Sequence, residues 1–187
     1  MKRYLLSFFT IGAIVLNSCN LSMPTDEPVA LVYNNIMIYT DLSNRIKKEP
    51  NDTMVVNQLI NFFITDCVKP GIKVNDRSSI YFSRVNSFNS NCSAAKIDIG
   101  EIKSLEEKQL FVNNSSKSKN LSDAIHGFKN NVTCNYQEQD KNGLDILSLL
   151  YNEISSGNHI KKPTFIPGEN DTTKINYINH LLLFTDG

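Results

Sequence analysis

Two stretches of the chain end in the same way, and they constrain the fold more than any other feature. Residues 36–40 are apolar or aromatic up to a final threonine, and Asp41 follows them. Residues 181–184 are four apolar residues, and Thr185 and Asp186 follow. Short apolar runs of this kind are typical of buried strands in a parallel sheet. We therefore expect the carboxylates of Asp41 and Asp186 to face one crevice at the carboxyl edge of the sheet.

Strand and helix patterns alternate between these two ends. The sequence predicts strands over residues 31–40, 79–85, 96–99 and 175–185. It predicts helices from Asp52 to about residue 66, from the capping residues Ser104 and Asn120, and after Asn142, the last with apolar positions Leu144, Leu147, Leu150 and Ile154. Residues 155–173 are predicted to be a long loop. This alternation favours an α/β, Rossmann-like fold, a mostly parallel sheet flanked by helices with right-handed crossovers.

The N-terminus has the pattern of a targeting segment. Lys2 and Arg3 precede an apolar stretch over residues 4–16, which is too short to span a membrane. Residues 16–19 (Leu-Asn-Ser-Cys) resemble the lipobox of bacterial lipoproteins, in which the cysteine, here Cys19, becomes the lipidated N-terminus. The alternative is an ordinary secretory signal with an incidental cysteine.

Three segments follow from this pattern. Residues 1–19 form the lipoprotein signal peptide, residues 20–30 a flexible tether with two prolines, and residues 31–187 the folded domain. The expected location is the bacterial cell envelope, outside the cytoplasm and bound to a membrane through lipid on Cys19. Lys plus Arg and Asp plus Glu number 19 each, so the net charge does not indicate a nucleic-acid partner.

The cysteines of the domain leave the disulfide pattern open. Cys67, Cys92 and Cys134 are an odd number, which allows one disulfide with a remaining thiol, or no disulfide. The sequence alone does not choose a pair.

Three motifs in order resemble a von Willebrand factor type A (vWA) domain across residues 31–187. The first is an apolar strand followed by Asp41 and Ser43 in an Asp-x-Ser sequence, and the last is the Thr-Asp-Gly ending at residues 185–187. Between them, residues 120–125 (Asn-Leu-Ser-Asp-Ala-Ile) are similar to the helix start that follows the middle loop of the family. The resemblance implies a module that binds a protein partner.

The resemblance also implies a metal-ion-dependent adhesion site. Asp41, Ser43 and Asp186 take the positions of the metal ligands, and their oxygen atoms suit Mg²⁺. At two positions the neutral oxygen ligand of the family is replaced by a cation: Arg45 stands for the second serine, and Lys119 stands for the middle-loop threonine. An arginine beside carboxylates could substitute for the metal.

Several alternatives remain open at this stage. Ser116 or Ser118 could supply the missing loop ligand if the loop is arranged differently. A metal-free site would favour a structural or assembly role in the envelope. An enzyme, such as a metal-assisted hydrolase, is not expected, because no second catalytic signature accompanies Asp41 and Asp186. Nor is any histidine placed by a motif to activate Ser43. Family members also continue past the Thr-Asp-Gly strand, so we expect the domain to be incomplete at its C-terminus.

Overall fold

The structure of the chain is a computed structural model that describes residues 30–42, 50–68, 76–85, 91–138, 146–157, 159–167 and 172–185. The strands are β1 (Ala30–Thr40), β2 (Ser79–Arg84), β3 (Ala95–Asp98), β4 (Thr164–Pro167) and β5 (Thr172–Phe184). The α-helices are α1 (Pro50–Phe62), α2 (Leu105–Val112), α3 (Leu121–Gln137) and α4 (Ile146–Ser156). A π-helical turn, Phe63–Val68, extends α1, and a 3₁₀ turn, Ile99–Glu101, follows β3.

The described strands form one mixed sheet in the order β3-β2-β1-β5-β4. β1 pairs in parallel with β2 and β5, whereas β3 and β4 pair antiparallel with their neighbours. The prediction of a Rossmann-like, mostly parallel sheet flanked by helices is therefore wrong. The lengths of the connections explain the difference: ten residues separate β2 from β3 and four separate β4 from β5. Parallel neighbours need a crossover of a dozen or more residues, so such short connections favour antiparallel pairing.

The predicted capping residues of two helices are confirmed. The hydroxyl of Ser104 accepts a hydrogen bond from the Glu107 N–H at 3.4 Å at the start of α2. The side-chain oxygen of Asn120 accepts the Asp123 N–H at 2.8 Å at the start of α3. Each bond satisfies one of the N–H groups that a helix leaves without an intrahelical partner.

The main hydrophobic core lies between one face of the sheet and the helices α1 and α3. Alternate strand residues such as Ile38, Ile80 and Phe82 point to this face and are fully buried. They form one cluster with residues of α1, its π-helical extension and α3, including Ile60, Phe63, Leu121 and Phe128. The intervening residues of β1, such as Asn35 and Tyr39, lie on the opposite face.

Helix α4 buries a different face from the predicted one. Leu147 and Ile154, two of the four predicted apolar positions, are 80% and 72% exposed. The buried side chain of α4 is Glu153. Leu144 lies outside the described residues. The region predicted as a loop over residues 155–173 contains the end of α4, the short strand β4 and the start of β5.

Within the described part of the chain, no helix combines the length and the apolar character needed to cross a bilayer.

Candidate functional site

The carboxyl ends of β1 and β5 lie side by side. Thr40 and Phe184 are partners in the parallel register, and the Asp41 N–H donates a hydrogen bond to the Phe184 carbonyl oxygen at 2.8 Å. On the other side of β1, the Val85 N–H donates to the Thr40 carbonyl oxygen at 3.1 Å. The three parallel strands therefore end at one edge of the sheet, where connections leave after β1, β2 and β5.

Asp41 is the predicted site residue that the structure describes at this edge. Its side chain is buried, with 5% of the residue exposed. Ser43, Arg45 and Asp186 lie outside the described residues, as does the lipidation residue Cys19. The chain nevertheless reaches Thr185 directly beside Asp41, because Phe184 is hydrogen-bonded to it.

The C-terminal end of α3 is fixed to this same edge. Arg84, the register partner of Thr40, places its guanidinium 2.6 Å from the carboxylate of Glu138, which caps α3. A disulfide joins Cys92 to Cys134 in the last turn of the helix. Since α3 has 17 residues, its N-terminus lies about 25 Å from this end.

The loop before α3 accordingly belongs to the opposite edge of the sheet. The first turn of α3 is tied to the end of α2 by a 2.8 Å bond from the Ser122 N–H to the Asn114 side chain. In α2, the Lys108 ammonium donates to the carbonyl oxygen of Asp76, just before β2 begins, at 2.9 Å. The structure therefore does not bring the middle-loop candidates to Asp41. These candidates are Ser116, Ser118 and Lys119.

The middle-loop residues instead line an open cavity of about 500 Å³. The Ser116 and Ser118 hydroxyls lie 3.3 Å apart, and Ser116 Oγ accepts the Lys119 N–H at 3.4 Å. The rest of the lining comes from α2 and the segment before it, with Glu101, Lys103, Glu107, Leu110 and Phe111 among its residues. The serine hydroxyls are thus engaged in local turns rather than directed at a cation.

The fit of a metal ion is limited by the number of ligands described. Within the described ranges, no group of three or more His, Cys, Asp or Glu side chains could hold a metal ion. Asp41 supplies one carboxylate, and protein-bound Mg²⁺ takes one or two carboxylates and keeps several waters. Asp41 therefore fits one ligand position of the set implied by the resemblance.

A second polar cluster lies on the sheet face covered by α4, and the sequence did not predict it. Glu153 Oε1 accepts a hydrogen bond from the Tyr39 hydroxyl at 2.5 Å and lies 2.9 Å from His159 Nδ1. Tyr39 and Glu153 are 3% and 7% exposed. The imidazole of His159 stacks on Tyr81 with 3.9 Å between the ring centroids.

Burial and the neighbouring carboxylate keep the Tyr39 hydroxyl protonated. Desolvation by burial is the largest cause, and the hydrogen bond to Glu153 adds to it, so the pKa of Tyr39 lies far above its ordinary value. Burial also raises the pKa of Tyr33 and Tyr81. Tyr39 is therefore a permanent hydrogen-bond donor to Glu153 at physiological pH.

The cavity beside His159 is too small for a substrate. Its volume is about 40 Å³, and its lining includes Ser79, Asp98 and Lys161. Lys161 Nζ is engaged at 2.6 Å with Asp98 Oδ1. A space of this size accommodates a water molecule or little more. The hydrogen bonds among Tyr39, Glu153 and His159 connect α4 and the segment after it to β1.

The three histidines lie in different surroundings. His126 is exposed on α3, whereas His180 Nε2 lies 3.0 Å from Asn34 Oδ1 on β1. His159 is half-buried against Glu153.

Helical spacing in the sequence could have indicated that Glu153 is buried. Glu153 lies on the same helix face as Ile146 and Leu149, seven and four residues before it. If that face of α4 packs on the sheet, Glu153 is buried with it.

The chain was compared with protein-family models, with curated proteins and with solved structures, and none of the three comparisons finds a match.

Proposed function

We propose that this chain is a lipid-anchored extracytoplasmic binding module, related to vWA domains, that binds a protein partner at the carboxyl edge of β1 and β5. The observation that carries this proposal is the 2.8 Å bond from the Asp41 N–H to Phe184. It aligns the two Thr-Asp strand ends that the sequence singled out, so that one buried carboxylate and the start of the last motif share an edge.

The disulfide supports a location outside the cytoplasm. Cys92 and Cys134 are joined across a sequence separation of 42 residues. Disulfides of this kind form and persist in oxidising compartments such as the periplasm or the cell surface. This agrees with the lipobox pattern that ends at Cys19.

In the proposed site, Asp41 with Ser43 and Asp186 holds a divalent cation, for which Mg²⁺ is the chemical match. When bound, the cation supplies an open coordination position for a carboxylate of the partner. The chain's own contribution is to hold Asp41 at the edge through its backbone bond to β5, inside a buried environment where electrostatic interactions are stronger than in water.

One observation favours a second candidate, a structural envelope lipoprotein with a metal-free site. The middle loop, with Ser116, Ser118 and Lys119, belongs to the opposite edge and adds no oxygen ligand at Asp41. Arg45 then remains as a cation close in sequence to Asp41 that could neutralise it.

Thermal unfolding with added cations distinguishes the two candidates. The protein used begins at residue 19 and carries Cys19→Ser, so that no lipid is attached. Its thermal unfolding is measured with Mg²⁺, with Mn²⁺ or with a chelator. A cation at about 100-fold above its Kd should raise the midpoint by roughly 5–10 °C. Asp41→Asn should abolish this rise without disturbing the size of the side chain.

Glu106→Gln is the matched control, because Glu106 is an exposed acid on α2. The control should keep the full cation effect. A wild-type melt indifferent to both cations would contradict the cation-dependent binding module and favour the metal-free envelope lipoprotein.

A further inference from the structure

The outer face of α4 carries the most exposed apolar side chains of the described residues. Leu147, Tyr151 and Ile154 are 80%, 72% and 72% exposed, more than any other large apolar residue that the structure describes. They follow one another at spacings of four and three residues, so they share one side of the helix. Single exposed apolar residues are common, whereas a contiguous apolar patch is typical of an interaction surface.

The contacts of the inner face determine which side of α4 points outward. Glu153 is bound to Tyr39 of β1 and to His159 in the segment after the helix. Ile146 and Leu149 share the face of Glu153 and are half-buried. Because these contacts hold α4 by its inner face, the three outer side chains cannot turn toward the sheet.

The exposed side of α4 carries no charge. Glu153 is the only charged residue between Ile146 and Ser156, and it is buried. The remaining exposed residues of the helix are the neutral Ser148, Asn152, Ser155 and Ser156. Transfer of this side to a less polar environment therefore requires no desolvation of a charged group.

A cation lies at the C-terminal end of the helix. The stem of Lys162 passes beside Gly157, with its Cε 3.9 Å from the position that a Cβ of Gly157 would occupy. Lys162 is exposed. A lysine placed beside an apolar helix face can bring its ammonium to lipid phosphates while its stem lies along the apolar surface.

The position of the proposed lipid anchor indicates the bilayer as the occupant of this face. Ten residues, 20–29, separate Cys19 from the start of β1 at Ala30. They span at most about 35 Å when extended, so an anchored domain stays within that distance of the membrane. With α4 on the bilayer, the sheet lies about one helix diameter, or about 10–12 Å, above it, and the tether can bridge this distance.

A second copy of the chain fits this face less well. Stable protein interfaces bury roughly 800 Å² on each partner, and an 11-residue helix with three exposed apolar side chains offers a smaller contact. A bilayer contact can be small, because the anchor raises the effective concentration of lipid at the domain to the millimolar range.

We propose that the outer face of α4 rests on the bilayer surface, with Leu147, Tyr151 and Ile154 at the boundary between headgroups and acyl chains. This inference rests on the lipid anchor at Cys19 in the proposed function. Tyrosine favours this boundary, because its ring is apolar and its hydroxyl is polar. In this orientation α1 and α3, on the opposite face of the sheet, point away from the membrane, and the carboxyl edge of β1 stays accessible from the side.

Tryptophan fluorescence of the anchored protein tests the contact. The protein begins at Cys19, whose thiol is coupled to a maleimide lipid in vesicles of phosphatidylcholine and phosphatidylglycerol in equal parts. Coupling is directed to Cys19, because Cys67 is fully buried and Cys92 and Cys134 form the disulfide. The chain contains no tryptophan, so Tyr151→Trp provides the only tryptophan emission.

The emission of Tyr151→Trp should shift to shorter wavelength on the vesicles, and brominated lipid should quench roughly half of it, as expected for an interfacial helix. Met54→Trp is the matched control and should show neither change, since Met54 is 54% exposed on α1, on the opposite face of the sheet. Adding Leu147→Asp and Ile154→Asp to Tyr151→Trp should abolish the shift. Leu105→Asp adds a charge at an exposed position of α2 and should preserve it.

The thermal midpoint of each variant should match that of the unsubstituted protein, because all the changed side chains are exposed. Equal shifts at positions 151 and 54, or no shift at either, would overturn the proposal. A shift that appears without vesicles and grows with protein concentration would show that two copies pair through α4, and would overturn it as well. Since the anchor is attached chemically, each of these results is independent of whether the natural chain is lipidated at Cys19.

Discussion

At the scale of single residues, the least expected feature is the carboxylate of Glu153, which is buried on α4 while the predicted apolar positions Leu147 and Ile154 are exposed. Glu153 is held by the Tyr39 hydroxyl and by His159 Nδ1, and these three side chains connect α4 to β1. Both contacts reach Glu153 Oε1, whereas Oε2 is buried with no hydrogen-bond partner among the described residues. A buried acid depends on its donors, and Tyr39 is the more deeply buried of the two partners of Oε1.

The tyrosines make stability sensitive to alkaline pH. A pKa raised by folding means that the folded chain prefers the protonated phenol, so the stabilisation is complete below the ordinary tyrosine pKa of about 10 and is lost as the pH rises beyond it. We expect the unfolding midpoint to fall steeply above about pH 10. Absorbance at the tyrosinate band should show part of the seven tyrosines ionising only as the chain unfolds.

Tyr39→Phe separates the contribution of this one hydroxyl. It should lower the free energy of unfolding at neutral pH by about 1–3 kcal/mol, because Glu153 loses a buried donor, and it should reduce the alkaline dependence. Tyr151→Phe is the control, since Tyr151 is 72% exposed on α4 and should change neither. Equal effects of the two substitutions in urea titrations would contradict the role given to Tyr39.

At the scale of elements, local signals were informative and long-range ones were not. The caps at Ser104 and Asn120 and the apolar strand β1 could be predicted, because they depend on neighbouring residues. β4 was missed because a four-residue strand depends on its pairing with β5. The buried face of α4 was missed because Leu147 and Ile154 are as apolar as the residues that face inward.

The disulfide is the element-scale feature with the largest expected energetic effect. It closes a loop with a sequence separation of 42 residues between the segment before β3 and the end of α3. Loop-closure entropy predicts a stabilisation of about 4 kcal/mol. Replacing Cys92 and Cys134 with alanine, or adding a reductant, should lower the urea midpoint accordingly.

Cys67 provides the comparison for this experiment. Its thiol is buried beside α1 and is not part of the disulfide. Cys67→Ala should respond to reductant as the wild-type chain does, whereas the Cys92 and Cys134 variant should no longer respond. A reductant effect that persists without the Cys92–Cys134 pair would contradict this assignment.

At the scale of the whole molecule, the adjacency of the carboxyl ends of β1 and β5 could be predicted, but the sheet around them could not. Repeated apolar runs identify the parallel centre of β2, β1 and β5. The antiparallel edge strands depend on short connections that leave no periodic signal. The placement of residues 116–119 also depends on the direction of α3, which Arg84, Glu138 and the disulfide determine.

The proposed membrane attachment rests on one residue of the N-terminal pattern, Cys19. If its thiol carries a lipid, the full-length chain should partition into the detergent phase and fractionate with membranes. Cys19→Ser should move it to the aqueous phase. Ser18→Thr is the control variant, because it changes the neighbouring residue and keeps Cys19. It should remain in the detergent phase. Wild-type chain in the aqueous fraction would refute the anchor.

The parallel centre of the sheet has a mechanical consequence if the chain is anchored as proposed. β1 begins at Ala30, where the predicted tether ends, and its last residues lie at the edge proposed to bind the partner. Tension between membrane and partner would therefore run along the axis of β1. Its bonds to β2 and β5 would be loaded together in shear, rather than opened one after another from an end, so the strand that carries the load is the one held on both sides.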